Sequence, residues 1–204
     1  MLKLWFLTLI FWISRIHVDG GYHKFDLKHL PYDLKPVSKF VGRWQYERID
    51  GYGSTDFPFG KIIEFGIDPL PHFGARCLNY TATTYHDWQR SEIYNSSKVI
   101  HYEYGYLPVN NRTKNNPQIL CAFLTTGSEG YAMIEYGMVV DDTILLDLNK
   151  YLSRSFGLGF RTNFFVNELH RQFRIWGNRM EQRILAQTSL GISDFTVSYL
   201  KTVT

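Results

Sequence analysis

The chain has few of the residues that announce chemistry. Of its 204 residues only two are cysteines, Cys77 and Cys121, so a disulfide framework is excluded and at most one bridge could form. No pair of histidines has the spacing of a His-Glu-x-x-His metal helix. No Gly-x-Ser-x-Gly elbow, phosphate loop or nucleotide fingerprint is present, and Gly157-Leu158-Gly159 precedes no helical pattern. Charge of one sign is also scarce. The net charge is +3 with both signs interspersed, too weak to imply nucleic-acid binding. No long segment places apolar residues at helical spacing.

Only one apolar run is long, and it lies at the N-terminus. Lys3 is followed by Leu4–Ile13, and small residues near Gly20 offer a cleavage point before Gly21. This reads as a secretory signal over residues 1–20. The run is shorter than the roughly 20 residues a membrane helix needs. The alternative is an uncleaved anchor. After cleavage no membrane span is expected, and the protein is expected to be secreted. Export would give meaning to the acceptor triplets at Asn79, Asn95 and Asn111, of which Asn95 and Asn111 lie in polar, turn-rich stretches. An oxidising compartment would also permit a Cys77–Cys121 bridge. The expected strand order places one strand between the two cysteines, and the other reading is two small buried hydrophobes.

The rest of the chain is aromatic, at 17%, and built of short alternating segments. Residues 21–36 are polar with two prolines and read as an N-terminal arm lying outside the domain or disordered. The domain is expected over 37–204. A short helix is possible around Pro36–Phe40. Strand patterns cover 40–46, 61–65, 78–85, 100–107, 118–125, 131–139, 143–148, 164–175, 180–187 and 195–201. Asp50–Thr55 is rich in turn formers and is expected to be a loop. Asp141-Asp142 and Gly177-Asn178 read as hairpin turns. Ten short strands with hairpin-length connections predict an all-β, antiparallel up-and-down barrel, because closure removes the exposed edges. A barrel of this size can enclose one small ligand.

Several short motifs stand in a specific order: Val41-Gly42-Arg43-Trp44, Thr55-Asp56-Phe57-Pro58-Phe59, Ile62-Ile63-Glu64 and Leu78-Asn79-Tyr80. His101-Tyr102-Glu103-Tyr104-Gly105-Tyr106, Thr126-Gly127, Arg171-Gln172-Phe173 and Ser198-Tyr199-Leu200-Lys201 follow. In this order they resemble the nitrobindin family, the heme-binding domain that vertebrates attach to a THAP-type zinc finger. The resemblance covers roughly 34–204. It implies a ten-stranded lipocalin-like barrel with heme b in its mouth, one proximal histidine ligand, nitric oxide binding and isomerisation of peroxynitrite to nitrate. Thr55 stands at the family's heme-contacting threonine, or is a turn-capping hydroxyl. His101 stands at a pocket-lining position, or is a structural histidine satisfied by a neighbour.

Two departures bear on that chemistry. The family's Gly-x-Trp-x-Gly-x-Gly becomes Gly42-x-Trp44 followed by Tyr46 and Arg48, which alters the mouth. The position of the axial histidine is Asp194, and no histidine follows His170. An aspartate is a poor axial ligand, so weak heme binding is expected, strengthened by Asp194→His. The alternatives are a non-enzymatic carrier of a small apolar ligand, and an extracellular interaction module whose barrel is filled by Tyr104, Phe123 and Phe173.

Overall fold

The computed structural model describes residues 24–53, 59–67, 76–85, 99–114, 117–153 and 165–203. Two 3-10 helices, Leu27–His29 and Tyr32–Phe40, precede ten strands. These are β1 (Gly42–Tyr52), β2 (Ile62–Ile67), β3 (Cys77–Tyr85), β4 (Val99–Asn110) and β5 (Ile119–Gly127), then β6 (Tyr131–Val140), β7 (Thr143–Ser153), β8 (Val166–Trp176), β9 (Arg179–Thr188) and β10 (Gly191–Val203). Each strand pairs antiparallel with its sequence neighbours, and β1 closes onto β10. The result is the closed meander barrel expected from the strand pattern.

Alternation decides which residues face inward. In β3, Leu78, Tyr80, Ala82 and Thr84 are buried while the intervening residues are half-buried. A strand's side chains point to opposite faces in turn, so this set lines the interior. Burying one such aromatic or aliphatic side chain contributes about 1.5–3 kcal/mol. Phe65, Tyr80, Phe123 and Phe173 meet there, with ring centroids 4.7–6.5 Å apart. Edge-on contacts of this kind add to simple burial. Tyr104 is not among them. It faces outward, with its hydroxyl 3.1 Å from that of Tyr106, because it has the opposite parity from His101 and Glu103, which are buried.

The segment 21–36 was expected outside the core, and its described part is not. Phe25 and Leu34 are buried, and the helix Tyr32–Phe40 also buries Val37 and Phe40. The helix closes one end of the barrel, where the indole Nε1 of Trp44 donates to Phe40 O at 2.8 Å. Leu34, Val37 and Phe40 recur at three-residue spacing, which aligns them on one face of a 3-10 helix. The polar residues between them masked that face in the sequence.

β1 also runs further than expected. Asp50, Gly51 and Tyr52 pair with Thr196, Phe195 and Asp194. Gly51 has φ +118°, and a Cβ there would lie 2.3 Å from Asp194 O. Only glycine allows the strand to continue this closely against β10. The glycines missing at Tyr46 and Arg48 are replaced by a register shift between those two residues, which bends the strand by a bulge.

Cys77 and Cys121 are not bridged. Cys77 pairs with Pro108 and Cys121 with Val109, so β4 lies between them. Among the described residues no helix is long and apolar enough to cross a membrane. Asn111 donates its side-chain nitrogen, the atom a glycan would join, to Asp33 O at 2.7 Å. Asn95 lies outside the described residues.

Candidate functional site

The helix closes the end where β1 begins. The opposite end receives the β3–β4, β5–β6, β7–β8 and β9–β10 connections. His101 stands there, one residue pair from the top of the β3–β4 ladder, opposite Thr84. It faces inward and is 4% exposed. Its Nδ1 lies 2.7 Å from Oε1 of Glu129, in the β5–β6 turn. Burial works against the Glu129 charge, but the hydrogen bond from His101 outweighs it and holds that carboxyl below its ordinary range. An ionised carboxylate can only accept, so the geometry favours the Nδ1–H tautomer. Nε2 is then a bare lone pair. It is buried and, among the described residues, has no hydrogen-bond partner.

One inward step below His101 lies a charged cluster. Arg171 Nε is 3.1 Å from Glu135 Oε2, and its Nη1 is 3.5 Å from Glu103 Oε2. All three side chains are buried. The Glu135 contact has ion-pair distance without hydrogen-bond geometry, leaving both Glu135 oxygens and Arg171 Nε and Nη2 without hydrogen-bond partners. Glu103 is better supplied. It accepts from Tyr80 at 3.0 Å and Tyr131 at 3.5 Å. Burial first, then the Glu103 charge, pushes both tyrosine hydroxyls well above their ordinary range, so they remain donors. Burial also pushes Glu135 up to about 7, against the pull of Arg171. One cation between two carboxylates leaves the cluster one proton short of neutrality. The proton belongs on Glu135, the carboxyl without hydroxyl donors.

The aromatic wall continues upward from this cluster. Tyr131 stacks on Tyr151 at 6.1 Å, and Tyr151 meets Phe165 edge-on at 5.3 Å. Opposite, Phe59 packs on Phe195 at 5.8 Å. A buried imidazole nitrogen at an aromatic barrel end can bind a metal-centred planar ligand or accept a hydrogen bond.

Of the other two residues singled out from the sequence, Asp194 is not brought to this point. Thr55 lies outside the described residues. Asp194 faces outward. The inward residues of β10 are its neighbours Ser193 and Phe195, both buried. The Asp194 carboxylate lies 3.3 Å from Arg183 on the outer surface. As placed, it neither occupies a ligand position nor blocks one. Strand parity could have revealed this, since Phe195, Val197 and Tyr199 form the apolar set and Asp194 has the opposite parity. Sequence reasoning missed Glu129, Glu135 and the inward role of Arg171. The signal for the last two was present, as charged residues at apolar-parity positions of β6 and β8. His170 is an outward residue paired with Asp147. Among the described residues no cluster of three metal-binding side chains occurs.

A closed ten-stranded antiparallel meander with a helix across one end defines a lipocalin-like barrel. The chain belongs to the THAP4-like, heme-binding beta-barrel domain family, whose model matches residues 33–195. Uncharacterized protein C28H8.5 of Caenorhabditis elegans is 27% identical over 175 residues, covering 82% of this chain and 54% of that protein. The chain thus spans about half the length of the curated relative it matches. The solved structure of Rv2717c from M. tuberculosis is similar in fold, with TM-score 0.56 and 22% identity, over 85% of this chain and 99% of that one.

Proposed function

We propose that the protein is a secreted barrel that binds heme at the end where His101 stands, with His101 Nε2 as the atom that ligates the iron. The observation that carries this is the buried Nε2, unpartnered among the described residues, with its opposite nitrogen held by Glu129. A carboxylate behind a metal-binding histidine sets the tautomer and raises the ring's basicity. The family supports the choice of ligand, and the aromatic residues Tyr131, Tyr151 and Phe165 offer apolar surface to a porphyrin. Bound heme would supply an iron able to take up a small molecule such as nitric oxide, and the family resemblance extends this to peroxynitrite. The chain's own part is to present the lone pair, exclude water and hold the ring still.

Hemin titration of the full chain, followed at the Soret band, tests this reading. The expected result is a one-to-one complex that His101→Ala weakens by more than the ~10–100-fold typical of losing an outer-shell partner. A sharp complex unaffected by His101→Ala would sink the assignment. Secretion is tested separately. Mass measurement of exported protein should find a chain beginning near Gly21.

A second reading is a filled-barrel module or carrier without heme. The packing of Phe65, Tyr80, Phe123 and Phe173 favours it, because these rings fill the interior beneath the mouth. The absence of any Soret complex would select it.

A further inference from the structure

The barrel interior holds an unbalanced charge beside the candidate ligand atom. Arg171 on β8 stands between Glu103 on β4 and Glu135 on β6, and all three side chains are buried. Glu103 follows His101 by two residues on one strand, so both face inward, about 7 Å apart along β4. Two ionised carboxylates and one guanidinium leave a net negative charge, which a single proton cancels. Tyr80 and Tyr131 donate to Glu103. Among the described residues nothing donates a hydrogen bond to Glu135, whose two oxygens are buried. The exchangeable proton therefore sits on Glu135, an ångström-scale relay away from the ring of His101 through Arg171 and Glu103.

The groups packed around Glu135 leave it to respond alone near neutral pH. Burial first, then the Glu135 charge, pushes the Cys121 thiol on β5 up to about 12. Burial likewise keeps the hydroxyls of Tyr80 on β3 and Tyr199 on β10 protonated. Arg171 keeps its charge, and Glu129, at the His101 end, is held ionised. Asp147 on β7 points outward against His170. Among the described residues β2 and β9 turn no acid or base inward.

We propose that this cluster couples the proton on Glu135 to the charge of the metal held at His101, so that a porphyrin with a net positive metal centre expels the proton and one with a neutral centre does not. The proposal rests on the reading of His101 Nε2 as the ligating atom. Its balance is simple: one positive charge enters the interior, and one proton leaves Glu135 for solvent. Charges on the order of 10 Å apart at an effective dielectric of ~20 alter each other's equilibria about tenfold. As pH rises and Glu135 ionises, the cluster becomes negative and favours a positive centre more strongly. The barrel thereby selects trivalent over divalent metal, and for iron the oxidised over the reduced state.

Binding of gallium(III) and zinc(II) protoporphyrin to the full chain tests this. Both metals accept an imidazole nitrogen, neither changes oxidation state, and the macrocycle is the same. Fluorescence titrations should show the gallium-to-zinc affinity ratio rising about tenfold between about pH 5 and about pH 8. In weak buffer at about pH 6.5, gallium should release about half a proton per site more than zinc. A proton lost from His101 itself is common to both metals and cancels. Glu135→Gln, which mimics the protonated acid, should abolish both the rise and the extra proton. Glu135→Met removes the same charge and serves if the first variant does not fold. A ratio flat with pH, or a rise that these variants retain, overturns the proposal and leaves His101 as the ligand. Failure of both porphyrins to bind, or binding undiminished by His101→Ala, overturns the reading of the site and the proposal with it.

Discussion

Arg171 is held inside the barrel against Glu135, Nε to Oε2 at 3.1 Å, with neither group reaching solvent. Arg171 stays charged, since Glu135 first and Glu103 second raise its already high pKa against burial. Glu135 is the group that titrates. Its folded-state value of about 7 lies above the ordinary carboxyl value of 4.5. The folded chain therefore keeps a proton that the unfolded chain releases as pH rises between those values. Stability from this group is present at low pH and lost as pH rises toward 7. Wild-type minus Glu135→Gln stability, from urea unfolding at a series of pH values, should fall across that window. A flat difference would show that Glu135 is ionised throughout.

The His101–Glu129 pair makes a separate prediction. Glu129→Ala should remove the partner that fixes the imidazole tautomer. Nitrogen NMR of labelled protein should show a single Nδ1–H form in the wild type and a mixture in the variant. Hemin affinity should fall about 10–100-fold in parallel. An unchanged tautomer would mean that some other contact orients the ring.

Asp194 should matter little. Its pair with Arg183 is partly solvent-exposed, 31% and 56% for the two side chains, so Asp194→Asn should change stability by less than about 1 kcal/mol. Asp194→His should leave hemin affinity unchanged, because the new ring would sit outside. A large gain in affinity would restore the expectation drawn from the sequence and show that β10 shifts register when the ligand binds.

Phe173 should matter a great deal. It is 1% exposed and meets Phe65 and Phe123 edge-on. Phe173→Ala should cost about 3–5 kcal/mol, read as a lower denaturant midpoint. A loss below about 1 kcal/mol would indicate that the interior collapses around the deletion.

The ten strands were legible because each carries its own period-two pattern and most are bounded by turn formers. The helix at the barrel base was read only in part, at Pro36–Phe40. Its start at Tyr32 hides in a polar segment where apolar residues fall three apart. Asp194 shows a different limit. A residue's place in a motif does not reveal which face its strand presents, and a shift of one position exchanges Asp194 for Ser193. Glu135 and Arg171 occupy interior positions of otherwise alternating strands. Their parity marks them as inward, but nothing local in the sequence couples residues 103, 135 and 171 into one cluster.

The seam between β1 and β10 has a consequence for how the molecule is made. Every other seam joins neighbours in the chain and can zip as soon as each hairpin emerges. The closing seam pairs Arg43 with Val203 and Tyr52 with Asp194, so it must wait for β10. Until then β1 presents a bare edge and the aromatic interior faces water. Loss of the outer residues of β10 would leave that edge partly unzipped, and such an edge recruits other chains. β10 acts as the latch of the barrel.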